Sequence, residues 1–217
     1  MMQRPEVIFL DAVGTIFGVR GHVGEIYASI AEKFGVSVAP DALNQAFLHS
    51  FRSAPPLAFP GINPLEVPRR EYEWWQAVSF YTFQQTQSLD QFTDFPSFFA
   101  ELYRHFSTGD PWFVYPDVLP ALKRWHQEGI TLGIISNFDS RIYKVLDALG
   151  LAGYFASITI STEVGSAKPN PKIFYSALQK HNCPPELAWH VGDTHREDYE
   201  GAKAVGMRGV LIQRTVG

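Results

Sequence analysis

Four polar clusters carry the residue types that phosphoryl-transfer chemistry needs. In chain order they are Asp11, Ser136 with Asn137, Lys168 in "GSAKPNP", and Asp193 with Asp198 in "GDTHRED". The carboxylates are ligands of the kind that Mg²⁺, a hard cation, prefers. A lysine and a bound cation would neutralise a transferring phosphoryl group, while the serine hydroxyl and loop amides would hold its oxygens. Asp11 would attack phosphorus in line and form an aspartyl-phosphate, which water would then hydrolyse.

Each cluster taken singly also has a purely structural explanation. Asp11 could form a turn or cap a helix, and Lys168 before Pro169 could simply be solvated. Asp193 is harder to explain in this way, because it follows "WHVG" at the edge of the predicted core. Ligands of open parallel sheets bind beyond the carboxyl ends of the strands. The occurrence of all four clusters at successive strand ends therefore favours one shared site.

Strands and helices alternate in residues 6–15 and 117–217. The strand "TLGIIS" precedes the helix "SRIYKVLDALG", the strand "ASITIS" precedes the helix "PKIFYSALQKH", and "AWHVGD" precedes the helix "EDYEGAKAVGM", with "GVLIQ" as the last strand. Strands that are buried on both faces read as continuous apolar runs, as these do. Repeated strand–helix units predict an α/β fold with a Rossmann-like, doubly wound parallel sheet.

Residues 20–106 show only helical spacing of apolar residues. "HVGEIYASIAEKFG" and "DALNQAFLHSF" each place their apolar residues on one helical face, and two aromatic-rich helices, "REYEWWQAVSFYTF" and "FPSFFAELYRHF", follow. We expect these aromatic residues to form a helix-bundle core rather than a ligand cage. The predicted organisation is an α/β core domain of residues 1–17 and 113–217, interrupted by a helical cap domain of residues 18–112.

Composition narrows the expected partners and compartment. The chain has 217 residues, 46% of them hydrophobic, and a formal net charge of −4, which disfavours a nucleic-acid partner. The single cysteine, Cys183, cannot form an internal disulfide, which fits a reducing compartment. The first apolar run is too short for a signal peptide, and no window reaches the roughly 18 apolar residues of a membrane span. We predict a soluble cytoplasmic protein without a membrane partner, either a monomer or a homodimer.

The motifs in this order resemble those of the haloacid dehalogenase (HAD) superfamily, subfamily I, with its helical C1 cap inserted after the first strand. "FLDAVGT" is similar to motif I, "IISN" to motif II, "KPNPKIF" to motif III and "HVGDTHREDYEGAKAVGM" to motif IV. The resemblance covers essentially the whole chain. It implies that Asp11 is the nucleophile and a metal ligand, and that the main-chain carbonyl of Val13 is a second ligand.

The resemblance also assigns the remaining clusters. Ser136 and Asn137 would bind the transferring phosphate group, and Lys168 would stabilise charge on both the nucleophile and that group. Asp193 would ligate Mg²⁺, with Asp198 in contact with the metal or directly behind its ligands. The implied substrate is a small phosphorylated metabolite.

Val13 departs from the pattern of the family's phosphatases, which carry a second aspartate at this position. That aspartate protonates the leaving group and later activates water, and such general acid–base catalysis contributes roughly 10²–10⁴-fold. Three interpretations follow: a Mg²⁺-dependent phosphatase of reduced or narrow activity, a 2-haloacid dehalogenase, or a non-catalytic binding protein. Halide leaves without a proton, and dehalogenases of the family carry "DAYGT", which is similar to "DAVGT" here.

Asp193 favours the phosphatase over the dehalogenase. The family's dehalogenases work without metal and resemble one another in having a small neutral residue there. A carboxylate at this position would repel both Asp11 and the substrate carboxylate unless a cation lies between them. The joint presence of the four clusters also disfavours a degraded, non-catalytic site.

Other charged residues are weaker candidates. His195 and Glu197, or His22 and Glu25, could replace the missing acid, but solvation of the loop histidine is the more ordinary explanation. Three cap arginines could contact an anionic substrate, although surface solvation is again the simpler interpretation: Arg52, Arg69 and Arg70.

Overall fold

The computed structural model describes residues 4–214. In chain order the strands and α-helices are β1 (Val7–Leu10), β2 (Phe17–Val19), α1 (Val23–Glu32), α2 (Pro40–Ser53), α3 (Val67–Gln85), α4 (Phe95–His105), β3 (Trp112–Val114), α5 (Val118–Gln127), β4 (Thr131–Ser136), α6 (Ile142–Ala148), β5 (Ser157–Ile160), α7 (Ser161–Val164), α8 (Pro171–Gln179), β6 (Ala188–Gly192), α9 (Gly201–Ala204) and β7 (Arg208–Leu211).

Five of these strands form one parallel sheet in the order β5-β4-β1-β6-β7. β1 lies at its centre, where Leu10 is in register with Ile134 of β4 and Val191 of β6. All four residues of β1 are buried, because helices cover both faces of the sheet and every β1 side chain meets apolar neighbours. The predicted α/β fold with a parallel sheet is confirmed.

The end of the chain differs from the prediction in one element. The pattern of "EDYEGAKAVGM" predicts one helix, but a π-helical turn over His195–Glu200 precedes the short α9. In this turn the Tyr199 N–H donates to the Thr194 carbonyl, five residues earlier. The wider turn places Asp198 toward the sheet, where it is buried.

α1 to α4 form a helical segment between β2 and β3. The segment has its own hydrophobic cluster, in which aromatic rings pack edge to face; Phe83 and Phe98 have ring centroids 5.1 Å apart. Within residues 4–214, no helix is long and apolar enough to cross a membrane. The division of the chain into core and cap domains stays a prediction.

The two borders of the helical segment pair with each other. β2 and β3 form an antiparallel ribbon with Phe17 opposite Val114, and the Arg20 N–H donates to the Pro111 carbonyl at 2.8 Å. The predicted domain boundaries, at residues 17/18 and 112/113, fall within these two strands, whose pairing was not predicted. Both connections to the segment therefore lie side by side.

Buried polar contacts join the helical segment to the loop after β4 and to α7, which directly follows β5. Glu71 of α3 is fully buried and accepts hydrogen bonds from the Ser140 N–H (3.0 Å) and the Thr162 hydroxyl (2.6 Å). One helical turn later, the Trp75 indole N–H donates to Asp139 at 2.7 Å. These bonds fix α3 over the carboxyl edge of the sheet.

Candidate active site

Asp11 lies directly beyond the central strand. Its N–H continues the parallel ladder by donating to the Val191 carbonyl at 2.9 Å, which fixes its backbone. Ser136 is the last residue of β4 and Asp193 follows β6 on the other side, so the strand ends bring both to the same edge as Asp11. The sequence-based expectation that these clusters converge agrees with this geometry.

Lys168 bridges two carboxylates. Its ammonium Nζ lies 2.6 Å from Asp11 Oδ1 and 2.6 Å from Asp198 Oδ1, and the residue is only 4% exposed. Burial disfavours the charged ammonium, but the two carboxylates outweigh it and raise the pKa of Lys168 above its ordinary value. The alternative of a solvated lysine is excluded.

Asp198 holds this lysine from the opposite side. Its Oδ1 also lies 2.9 Å from His190 Nε2, and its Oδ2 accepts from the Thr194 N–H at 3.0 Å. Burial favours the protonated acid, yet the contacts with His190 and Lys168 hold the pKa of Asp198 well below its usual range. A Cβ on Gly192 would overlap this carboxylate, so the strand end must be glycine.

Asp193 packs against the turn after Asp11. The Thr15 hydroxyl donates to its Oδ1 at 3.3 Å, and a Cβ on Gly14, which has a φ of +84°, would overlap its carboxylate. Partial burial and the charge of Asp198 raise the pKa of Asp193. The glycine in "DAVGT" therefore allows the motif I turn to approach the second carboxylate.

The three carboxylates fit a hard divalent cation. Asp11, Asp193 and Asp198 each offer an oxygen, and these three oxygens lie within 4.8 Å of one another. Burial disfavours the ionised carboxylate of Asp11 and raises its pKa, against the opposing charge of Lys168 and with a further increase from the charge of Asp198. Three ionised carboxylates and the Lys168 ammonium carry a formal charge of −2, which one Mg²⁺ would balance.

Asn137 holds the main chain of Lys168. Its Oδ1 accepts from the Lys168 N–H at 2.7 Å, while its Nδ2 donates to the Lys168 carbonyl at 3.1 Å and to Glu197 at 3.2 Å. The carboxamide is thus engaged in positioning the lysine loop. That Asn137 and the buried Ser136 also bind phosphate stays a prediction.

Two of the weaker candidates have structural roles. His22 and Glu25 form a reciprocal capping box at the start of α1, in which His22 Nδ1 accepts from the Glu25 N–H and Glu25 Oε2 accepts from the His22 N–H. His195 is 68% exposed, in agreement with the solvated alternative. Among these four residues, Glu197 alone reaches the site, through Asn137.

The cap arginines that the sequence analysis considered lie at the surface. Arg69 and Arg70 pair with Glu73 on the exposed side of α3, and Arg52 is also exposed. A different arginine, Arg141, lies beside the site; it is 8% exposed and was not predicted. The only sequence signal was its place in "SNFDSR", directly after motif II.

Arg141 is held by a buried carboxylate and two rings. Its Nε and Nη2 lie 2.8 and 2.7 Å from the two carboxylate oxygens of Asp139. Its guanidinium lies over the rings of Tyr103, at 4.0 Å from the ring centroid, and Trp75, at 5.1 Å. The charge of Arg141 is therefore balanced within the protein.

An aromatic cavity of about 250 Å³ lies between the helical segment and the carboxyl edge of the sheet. From the sheet side it is lined by Val13, Asn137, Phe138 and Arg141. Its opposite wall is mainly aromatic and aliphatic, with Phe47, Leu48, Phe51, Trp75 and Tyr103 among its residues. Val13 is 37% exposed, so its side chain forms a part of the wall that is not fully covered. That its main-chain carbonyl binds metal stays a prediction.

Sequence comparisons relate the chain to known hydrolases. Residues 5–206 match the haloacid dehalogenase-like hydrolase family. Haloacid dehalogenase-like hydrolase domain-containing protein 3 of Mus musculus is 35% identical over 207 residues, which cover 93% of this chain and 79% of that protein. The glyceraldehyde 3-phosphate phosphatase of Methanopyrus kandleri is 40% identical over 101 residues, covering 46% of this chain and 43% of that protein.

Solved structures share the fold. A HAD phosphatase from Thermococcus onnurineus has a TM-score of 0.62 and 26% identity, covering 98% of this chain and 88% of that one. A dehalogenase has a TM-score of 0.72 at 16% identity, covering 100% and 88% of the two chains, which is a likeness of fold alone. The length of the family match, together with the mouse relative, shows that this chain belongs to the haloacid dehalogenase-like hydrolases.

Proposed function

We propose that the protein is a Mg²⁺-dependent phosphatase that acts on a small phosphorylated molecule through an aspartyl-phosphate intermediate. The observation that carries this proposal is the Lys168 ammonium, 2.6 Å from both Asp11 and Asp198, beside a third carboxylate. The lysine shields the charge of the nucleophile, so that a phosphate dianion can approach it. The relatives that support phosphate chemistry are the Methanopyrus phosphatase and the Thermococcus phosphatase.

Each residue of the site has its own role in the proposed phosphoryl transfer. Asp11 attacks phosphorus, Lys168 stabilises negative charge on the transferring group, and Ser136 at the end of β4 donates to one of its oxygens. Asp198 and Asn137 position Lys168 by holding its ammonium and its main chain, respectively. Asp11, Asp193 and Asp198, with the Val13 carbonyl, would hold Mg²⁺, which supplies further charge neutralisation at the phosphoryl group.

Val13 supplies no proton to the leaving group. The site therefore favours substrates whose leaving oxygen departs as an anion, such as acyl and aryl phosphates. We expect the protein to act in the cytoplasm as a monomer or homodimer.

A 2-haloacid dehalogenase is the second candidate, because a neutral residue at position 13 suits a leaving group that needs no proton. Asp193 disfavours it: its carboxylate would face the carboxylate of a haloacid without an intervening cation. Metal-independent release of chloride from L-2-chloropropionate at enzymic rates would establish the dehalogenase instead.

The deciding experiment measures phosphate release from acetyl phosphate, with and without Mg²⁺. We expect turnover that EDTA removes and Mg²⁺ restores. Asp11→Asn keeps the size of the side chain and removes the nucleophilic charge, so its turnover should fall by at least about 10⁴-fold. Rapid acid quench of the native protein should trap phosphate on the chain, and none should be trapped on the variant. Mg²⁺ binding without any turnover would favour the non-catalytic interpretation.

A further inference from the structure

We propose that the aromatic cavity binds the leaving group of the substrate, and that this group is an uncharged aromatic ring, so that the substrate is an aryl phosphate monoester. This inference rests on the proposed phosphatase function and adds the chemical class of its substrate. Four features carry it: the position, size and charge of the cavity, and the residue at position 13.

The cavity adjoins the reacting end of the site. Val13 lies two residues after Asp11 and lines the cavity, and Asn137, which holds the Lys168 main chain, lines it as well. A phosphate held beside Asp11 and Lys168 would therefore direct its ester group toward this space.

The volume suits one ring system. The cavity measures about 250 Å³, whereas an apolar cavity of about 150 Å³ already accommodates benzene. Its wall leaves apolar surface uncovered at Val13 (37% exposed), Leu48 (37%) and Phe51 (42%). Phe51 lies nearly parallel to both Phe47 and Trp75, with centroids 5.7 and 5.8 Å away. An aromatic ligand would cover this surface and continue the packing of rings.

The charge of the wall disfavours a leaving group that carries a further ionised substituent at its far end. Within residues 4–214, Arg141 is the one lining residue with a formal charge, and Asp139 already pairs with two of its nitrogens. A carboxylate or a second phosphate on the far end of the ligand would enter an apolar space without a free counter-charge, which is unfavourable. An uncharged ring meets no such penalty.

The residue at position 13 points to the same class. A phenol has a pKa of about 10, as in tyrosine, whereas an alkyl alcohol is close to water, about 15.7. Attack by Asp11 breaks the bond between phosphorus and the aryl oxygen, whose electron pair leaves with the phenolate. Water then attacks phosphorus and releases Asp11; one of its protons stays on phosphate and the other reaches the phenolate. No enzyme acid is required for the first step.

The first test compares phenyl phosphate with 4-carboxyphenyl phosphate under the same Mg²⁺ conditions. The carboxylated phenol is the slightly better leaving group, so leaving-group chemistry alone predicts that it reacts at least as fast. The apolar cavity predicts the reverse, with kcat/KM for phenyl phosphate higher by about 100-fold. Equal values, or preference for the carboxylated substrate, would overturn the proposal.

The second test changes the wall. Leu48→Gln places an amide in the cavity without adding charge, and should lower kcat/KM for phenyl phosphate by about 10-fold, mainly through KM. Leu119→Gln on α5 is the matched control, because Leu119 is also 37% exposed and does not line the cavity. Two outcomes would contradict the assignment of the cavity. In one, both variants have the kcat/KM of the native protein; in the other, kcat/KM falls equally in both.

Acetyl phosphate separates this inference from the proposed function. It has no ring, so its hydrolysis reports on the reacting residues independently of ring binding, and Leu119→Gln should hydrolyse it at the native rate. If acetyl phosphate is hydrolysed but the two aryl substrates are not discriminated, only the aryl inference fails. If no phosphate ester or acyl phosphate is hydrolysed, the phosphatase proposal itself fails.

Discussion

The carboxyl edge of the sheet and the wall that the helical segment builds over it have opposite chemistry. The edge brings Asp11, Lys168, Asp193 and Asp198 together, with the lysine buried between two carboxylates. The wall is mainly aromatic, and its buried cation, Arg141, is already paired. We therefore propose a division of roles, in which the sheet supplies the reaction and the helical segment selects the molecule that undergoes it.

After the loss of the nucleophile itself, the largest expected effect tests the edge alone. Lys168→Gln should lower kcat by about 10³-fold, because it removes the charge that stabilises the transferring group. It should also destabilise the protein by about 3–5 kcal/mol, since it leaves Asp11 and Asp198 buried without a counter-charge. Steady-state kinetics and thermal unfolding measure both. Lys172→Gln, at an exposed position of α8, is the control and should change neither.

Metal binding is the next test of the edge. Asp193→Asn should weaken Mg²⁺ binding by at least about 100-fold in calorimetric titration, because a neutral amide replaces one of the three carboxylates. Asp147→Asn removes an exposed charge from α6 and should leave the affinity unchanged. Normal Mg²⁺ affinity in the Asp193 variant would contradict the proposed metal site.

Val13 lies where the edge and the wall meet, so its substitution should change the reaction and the binding of the ring in opposite directions. Val13→Asp should raise kcat for alkyl phosphates, by up to about 10²-fold, because it provides a proton for the leaving oxygen. The same carboxylate should lower kcat/KM for phenyl phosphate by about 10-fold, because it places a charge on the apolar wall. Val13→Asn is the matched control, since it is polar but cannot donate an acid proton. Equal alkyl-phosphate turnover in a well-folded Val13→Asp protein would contradict the missing-acid explanation.

The smallest expected effect concerns the contact that holds the wall in place. Burial raises the pKa of Glu71 above its ordinary 4.5, so the folded protein retains this proton more strongly than the unfolded chain does. As the pH rises above the unfolded value, the unfolded state loses the proton first. The free energy of unfolding, relative to Glu71→Gln, should therefore fall until the folded pKa is passed.

Chemical unfolding of both proteins between about pH 4 and pH 8 measures this difference. Glu66→Gln, which changes an exposed carboxylate just before α3, should show no such trend. A difference that grows with pH would mean that the ionised form of Glu71 is the one that the hydrogen bonds of Ser140 and Thr162 favour.

Most residues of the carboxyl edge could be predicted, because their position follows from the order of strands and polar residues along the chain. A polar residue directly after a buried parallel strand must lie at the carboxyl edge of the sheet, whatever the loops do. Asp11, Ser136 and Asp193 obey this rule, and Asp198 follows five residues after the last of them. The roles of Asn137 and His190 could not be predicted, since both act by holding a neighbour whose position depends on the folded loops.

The sequence by itself determined the fold class, the family and the set of polar residues that follow the strands, because short apolar runs and the motifs after them are local features of the chain. Only the tertiary structure decided what surrounds that set. The aromatic cavity combines Val13, Phe51, Trp75 and Arg141 from distant parts of the chain. Helical spacing predicts that such aromatic residues lie on the buried face of a helix. The cavity that they leave between them depends on how Glu71 and Asp139 fix α3 to the sheet.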